Sequence, residues 1–312
     1  MKQPGDIRPL TLSIAAVERD TGLSKDTLRV WERRYGFPTP ERDSIGERAY
    51  PLDQVEKLRV VKRLMDGGHR PGRVVPLPFD ELQRLSEHTV DAGGRAADGL
   101  GALDLRSLVE LIRSHDVDGL RRKLQQLQMR LGLQRFVSEL VTPLNTMVGD
   151  AWMRGQLEIH EEHAYSEAIQ IVLRGALAAV PAAGPLDRPR VLLTTFPGEP
   201  HGLGLLMAEA IFALDGAKCL SLGVQTPLWD MVLAASAHKV DIVALGFTGC
   251  MNPNQVVEGL TELRAKLPAE VQIWVGGSAP VLHRRPVDGV IALASLPDVR
   301  LQVERWRHGL PE

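Results

Sequence analysis

Beyond Pro189 the chain is built on one repeated device. Five short, almost continuously apolar runs, Val191–Thr195, Cys219–Leu222, Ile242–Leu245, Ile273–Val275 and Val290–Leu293, are separated by stretches of helical length. A strand that is apolar on both faces must be covered on both. At this spacing, helices returning over a parallel sheet provide that cover. Residues 184–312 are therefore expected to form a doubly wound, Rossmann-like α/β domain. Ligands of such sheets bind at the carboxyl ends of the strands.

The preceding chain has other rhythms. Residues 102–183 are rich in Leu, Gln and Arg, with apolar residues at helical spacing, which predicts a four-helix bundle. Breaks are expected near His115–Asp118, Gly132, Pro143 and Gly155. The Gly/Ala/Asp content of residues 77–101, ending in DAGGRAADGLG, predicts a flexible linker. Residues 1–76 carry the spacing of a helix–turn–helix. Ser13 can cap a helix to about Thr21, Gly22 makes the turn, and Ser24 caps a second helix that Gly36 and Pro38 stop. ERDSIGERAYPLDQVEKL at 41–58 fits a β wing with Gly46 at its tip. The fold class is thus multidomain α and α/β: a winged helix–turn–helix, a four-helix bundle and a doubly wound domain.

Composition narrows the function. Cys219 and Cys250 are the only cysteines, which excludes a disulfide scaffold and a CxxC zinc site, and both are expected in the core. No apolar run approaches a membrane span, and the N-terminus MKQPGDIRPL lacks a signal-peptide stretch, so a cytoplasmic protein without a membrane partner is expected. Residues 1–75 hold 15 Lys/Arg against 11 Asp/Glu, a net of +4, whereas the remainder carries −6. A basic head on an acidic body points to nucleic acid. The second helix carries Lys25, Arg29, Arg33 and Arg34, with Arg29 and Arg33 on one face suited to the major groove. On the wing, Arg48 and Tyr50 are expected to point to DNA.

The first segment resembles the DNA-binding domain of the MerR family of bacterial regulators. The matching residues are TLRVWERRYG–P–P–R at 27–42, GERAY at 46–50 and DQVEKLRVVKRLMDGG at 53–68. The resemblance implies operator DNA as a partner and a homo-oligomer, since such proteins bind two half-sites as dimers. The last segment carries TTFPGEPHGLG at 194–204, with Glu199, His201 and Gly204 in the pattern E-x-H-x-x-G. After 41 residues comes Gly246–Phe247–Thr248, and after a further 27 comes Gly276–Gly277. This register resembles the cobalamin-binding domain shared with methionine synthase and the base-off mutases, whose pattern is D/E-x-H-x-x-G, S-x-L and G-G. It implies that His201 is the lower ligand of cobalt. The displaced nucleotide tail would run past residues 246–248 and the two glycines. Gly246 stands where the family has Ser, and Thr248 is expected to take over its hydroxyl. LGVQTP at 222–227, with Gly223 and Thr226, resembles a loop that lies beside the corrin.

The bundle carries Trp152, nine residues, then Glu162–His163. On an unbroken helix, 11 residues turn about 1100°, so Trp152 and His163 would share a face. A break at Gly155 would instead put Trp152 at one helix end and Glu162–His163 in the next helix. With the other two segments this pattern resembles the CarH/LitR family of light-dependent repressors. The resemblance implies adenosylcobalamin, with the adenosyl group against Trp152, Met153, Glu162 and His163. It also implies a tetramer in darkness that photolysis of the cobalt–carbon bond takes apart. Met153 departs from that family, which has a His after the Trp to take cobalt's upper position after light. That departure favours the alternative, a cobalamin-responsive or cobalamin-independent MerR-type regulator without a light response. A cobalamin enzyme, such as a corrinoid methyl carrier, is disfavoured by the basic helix–turn–helix and the lack of a substrate domain. No catalytic residue is expected.

Overall fold

The computed structural model describes residues 11–43, 46–66, 68–88, 100–181 and 188–309. The chain divides into two compact units: Met1–Arg95 with Asp150–Gln156, and the rest.

In the first unit, β1 (Thr11–Ser13) leads into α1 (Ile14–Thr21), where the Ser13 hydroxyl accepts from the Ala16 amide. Gly22 turns the chain in the left-handed region, φ +70°. Ser24 then caps α2 (Lys25–Tyr35), accepting from the Thr27 amide at 3.1 Å. The wing pairs β2 (Glu41–Arg42) with β3 (Arg48–Pro51), and β1 adds to the other edge of β3. α3 (Leu52–Asp66), α4 (Pro71–Val74) and α5 (Phe79–His88) complete the unit. Its core joins Val17, Leu28, Trp31, Tyr50, Leu58 and Leu82.

Helix α5 corrects the linker expected from residue 77. Asp80 and Glu81 occupy its first turn, where the helix dipole favours acids. Leu82 and Leu85, three apart, reach the core. Pro76 and Pro78 thus delimit a helix rather than open a linker. Residues 89–99 of the expected linker lie outside the described residues.

In the second unit, α6 (Leu100–Arg113) and α7 (Val117–Leu131) meet at a turn where Asp116 accepts from the Gly119 amide at 2.8 Å. α8 (Leu133–Arg135), a π-helical stretch at Phe136–Val141 and α9 (Thr142–Met153) follow without a break. The helix end expected at Pro143 is therefore absent. Proline lacks an amide hydrogen and crowds the preceding turn. The wider π turn just before it, closed by the Thr142 amide and hydroxyl on the Val137 carbonyl, removes that conflict. The expected break at Gly155 is present, φ +68°, and α10 runs over Ile159–Ala178.

The sheet is β4 (Arg190–Thr194), β5 (Lys218–Ser221), β6 (Ile242–Phe247), β7 (Gln272–Gly277) and β8 (Val290–Ala292), ordered β5-β4-β6-β7-β8 and all parallel. α11 (Leu203–Leu214), α12 (Leu228–Ala237), α13 (Pro253–Lys266), the short α14 (Val281–Arg284) and α15 (Leu296–His308) alternate with the strands. Leu192, Val243 and Ile273 are wholly buried, as the apolar runs require. The chain direction across the sheet switches between β4 and β6, the place where such sheets bind ligands. The bundle packs on α11, with the Asn145 amide 3.3 Å from the Met207 sulfur. Among the described residues no helix is long and apolar enough to cross a membrane.

Candidate functional site

The loops leaving β4 and β6 meet at that switch point. Glu199 follows β4 and is completely buried. A buried carboxylate is costly unless donors surround it. Here the Thr248 amide donates at 2.6 Å, the Thr248 hydroxyl at 2.8 Å, the His201 amide at 3.2 Å and the His201 ring Nδ1 at 2.7 Å. Burial alone would raise the Glu199 pKa, but these hydrogen bonds from His201 and Thr248 overcome it and hold the group at about 2. In return Cys250 and Glu199 stabilise the imidazolium of His201, raising it to about 10 against the opposing effect of burial. The ring itself is more than half exposed, and its bonds to Glu199 and Thr248 both use Nδ1. Nε2 is then the nitrogen available to a metal, with the carboxylate fixing tautomer and orientation from behind.

A second layer locks the loops. The Thr195 hydroxyl donates to the Glu199 carbonyl at 2.6 Å and accepts from the Gln225 amide at 2.8 Å. Thr194 reaches the Gly223 carbonyl at 3.1 Å and the Thr226 hydroxyl at 2.7 Å. These bonds tie the loop that carries Gly223 and Thr226 to the end of β4. Cys250, expected in the core, instead lies 3.4 Å from Glu199 Oε1. Cys219 is largely shut off from solvent, and burial pushes its thiol up to about 12.

Thr248 stands one residue past the end of β6, and its hydroxyl serves Glu199. It does not reproduce a hydroxyl at position 246. Gly246 leaves room for one: a Cβ there would meet Leu205 and Thr195 at 3.7–3.8 Å, an ordinary contact. Gly277 is different, because φ is +117° and a Cβ would come within 2.1 Å of the Phe247 carbonyl. The chain's own backbone demands that glycine. Gly276 and Gly204 leave open space, the former with only the Leu293 carbonyl at 3.8 Å.

Trp152 lies in the last turn of α9, which ends at Met153. Its ring centroid is 5.3 Å from the Arg63 guanidinium within the first unit. Glu162 and His163 are the fourth and fifth residues of α10. The Glu162 carboxylate is held by Ser166 at 2.6 Å and by His163 Nδ1 at 2.9 Å, while His163 is largely exposed.

On α2, Arg29, Arg33 and Arg34, which the sequence assigns to DNA, are exposed. Arg29 pairs with Asp26 at 3.1 Å, and Lys25 lies 3.6 Å from Glu18. The wing corrects the expected set. Tyr50 is wholly buried in the core, and Arg48 turns to Glu32 at 2.9 Å. Both lie on the same face of β3, the middle strand, and that face is turned to the core rather than to solvent.

Residues 12–75 match the family described as MerR HTH family regulatory protein, and residues 105–174, the bundle, match the B12 binding domain. The HTH-type transcriptional repressor CarH of Myxococcus xanthus is 30% identical over 266 residues, covering 84% of this chain and 87% of that protein. The chain belongs to the CarH/CarA family of transcriptional repressors. CarA of the same organism, also an HTH-type transcriptional repressor, is 29% identical over 89% of this chain and 90% of its own length. Methionine synthase of Mycobacterium tuberculosis (strain ATCC 25618 / H37Rv) is 26% identical over 65% of this chain but only 17% of that enzyme. Membership in the CarH/CarA family makes the protein a DNA-binding transcriptional regulator with a cobalamin-binding domain, not an enzyme. The donor set fits the cofactor: once its proton leaves, His201 Nε2 is an imidazole donor that Glu199 orients from behind.

Proposed function

We propose that the protein is a light-dependent repressor that holds adenosylcobalamin in the dark, assembles on operator DNA as a homo-oligomer and releases it after illumination. The observation that carries this reading is the buried Glu199, which fixes His201 at the sheet's switch point in a chain that also carries the exposed arginines of α2. His201 would hold the cobalt through Nε2, with Glu199 orienting the ring. Gly204, Gly223, Thr226, Gly246, Gly276 and Gly277 surround the corrin and its tail, with Thr248 fixing Glu199. Glu162 and His163, which the W-x9-E-H pattern pairs with Trp152, would receive the adenosyl group. When bound, the cofactor supplies a cobalt–carbon bond that light cleaves. Ligand binding that favours the assembled state stabilises it by about 4 kcal/mol at 1,000 times Kd, and light removes that contribution.

Met153 favours a second reading, a cobalamin-responsive regulator with no light switch. A thioether is a poor donor to Co(III), so the residue after Trp152 would not trap the photoproduct. One experiment tests both. The protein is loaded with adenosylcobalamin in darkness, then its absorbance, size by gel filtration and operator affinity are recorded before and after green light. The first reading expects all three to change and His201→Ala to lose cofactor. Binding with unchanged assembly and affinity supports the second. Failure to bind cobalamin overturns both.

A further inference from the structure

The turn between α6 and α7 and the first turn of α10 bring together three metal-ligating side chains that the cobalamin reading does not use. His115, His160 and Glu161 each offer one donor atom, and the three atoms lie within 4.8 Å of one another. His115 Nε2 is 3.1 Å from Glu161 Oε1. Two donors bonded to one zinc ion at about 2.0–2.1 Å stand about 2.9–3.4 Å apart, so this pair already has the separation of two ligands on one ion. The His160 ring lies 5.5 Å from that of His115 and is exposed, free to swing the remaining distance.

Two further observations mark the cluster as built. Glu161 is nearly buried, and its other oxygen accepts from the Glu158 amide at 2.7 Å. The carboxylate is thus anchored from behind, as ligating carboxylates usually are. His115 holds φ at +57° in the turn that ends α6, where the Asp116 amide closes on the Leu111 carbonyl, and this fixes the place of its side chain beside α10. The same three residues line a cavity of about 140 Å³ over Leu111, Leu120 and Tyr165. That leaves room for water at an open coordination position.

We propose that His115, His160 and Glu161 bind a divalent transition-metal ion, with zinc as the expected occupant. Two imidazoles and a carboxylate suit zinc and leave a fourth position for water. The ion would staple the α6–α7 turn to the start of α10, the turn that also carries Glu162 and His163. This site is separate from His201 and does not depend on the cobalamin reading.

The test is zinc retention by the full-length protein after dialysis against zinc and then zinc-free buffer. It is measured for the parent, for His115→Ala/His160→Ala, and for His201→Ala/Cys250→Ser. The last removes the competing Glu199–His201–Cys250 cluster, which could also take zinc when cobalamin is absent. Retained zinc that the His115/His160 variant loses and the His201/Cys250 variant keeps is the expected result. No retained zinc, or zinc lost only with His201 and Cys250, overturns the proposal. Because His115 and His160 are exposed, circular dichroism of the zinc-free variants should match the parent. His160→Gln, confined to a helix surface, serves as a second variant and should also lose the ion.

Discussion

Helix α2, proposed to meet DNA, and the loop cluster around Glu199 place function on two kinds of ground. On α2 the charges stand in water, and Arg29 pairs with Asp26, which is 89% exposed. Around Glu199 one buried carboxylate organises groups 49 residues apart in the chain. Exposed ion pairs contribute little to stability, whereas breaking a buried, hydrogen-bonded charge is expensive. The two regions should therefore fail differently: one loses a partner while staying folded, the other loses structure and ligand together.

The largest expected effect is that of Glu199→Ala. It strands the Thr248 amide and hydroxyl in the interior and frees the His201 ring. Lost acceptors of this kind cost about 3 kcal/mol, measurable as a lower urea midpoint, with cobalamin binding lost as well. Arg33→Ala should stay within about 0.5 kcal/mol of the parent. Equal stability losses in the two variants would erase the contrast.

The next effect is on pH. His201 is held protonated up to about 10, so cobalt must displace a proton to bind it. Cobalamin affinity through His201 is expected to rise about tenfold per pH unit between 7 and 9, one proton being released per site. The ion pair's own contribution to folding has the opposite sign. It is complete between about 4.5 and 6.5, fades as pH rises through about 10 and is lost again as pH falls through about 2. Affinity measured by dialysis across that range should show the slope in the parent and none in His201→Ala. A flat profile in the parent would mean that His201 is neutral before cobalt arrives.

How legible each region was follows from the range of its interactions. The caps Ser13 and Ser24, the turn at Gly22 and the exposed arginines are each set by neighbours within about four residues, so helical spacing shows them. Apolar runs give the strands, whose boundaries fall within two residues of those expected. Glu199 and His201 were found through a spaced pattern, because their order in the chain mirrors their loops. Cys250 was not, since nothing local distinguishes a cysteine beside a carboxylate from one in the core. Thr194 and Thr195 were likewise missed, their hydroxyls meeting a loop about 30 residues on. Pro143 misled because the rule that proline ends a helix takes no account of a π turn before it. The helix over 79–88 was hidden by prolines that bound it.

A smaller effect separates affinity from stability on α2. Arg29→Ala and Arg33→Ala should each weaken operator binding and lower the salt slope of log K by about 0.9 if each neutralises one phosphate. Together they should give about twice that change while thermal unfolding is unmoved. Titrations at several salt concentrations read both numbers. An unchanged slope would move the DNA contact to another surface.

The smallest effect tests the corrected wing. The sequence put Tyr50 on DNA, and the fold puts it in the core with its hydroxyl buried and without a hydrogen-bond partner among the described residues. Burying an unpaired hydroxyl costs stability, so Tyr50→Phe should be neutral or stabilising by up to about 1 kcal/mol. The ring's packing against Leu12, the residue it faces across β1 and β3, survives the change. Operator affinity should stay within about twofold of the parent, a difference of about 0.4 kcal/mol. A phosphate contact by Tyr50 would give the opposite pair of results, weaker binding at unchanged stability. That outcome would require β3 to expose its core face on DNA, and it would put the wing with the loop cluster, as a place where folding and binding share the same side chain.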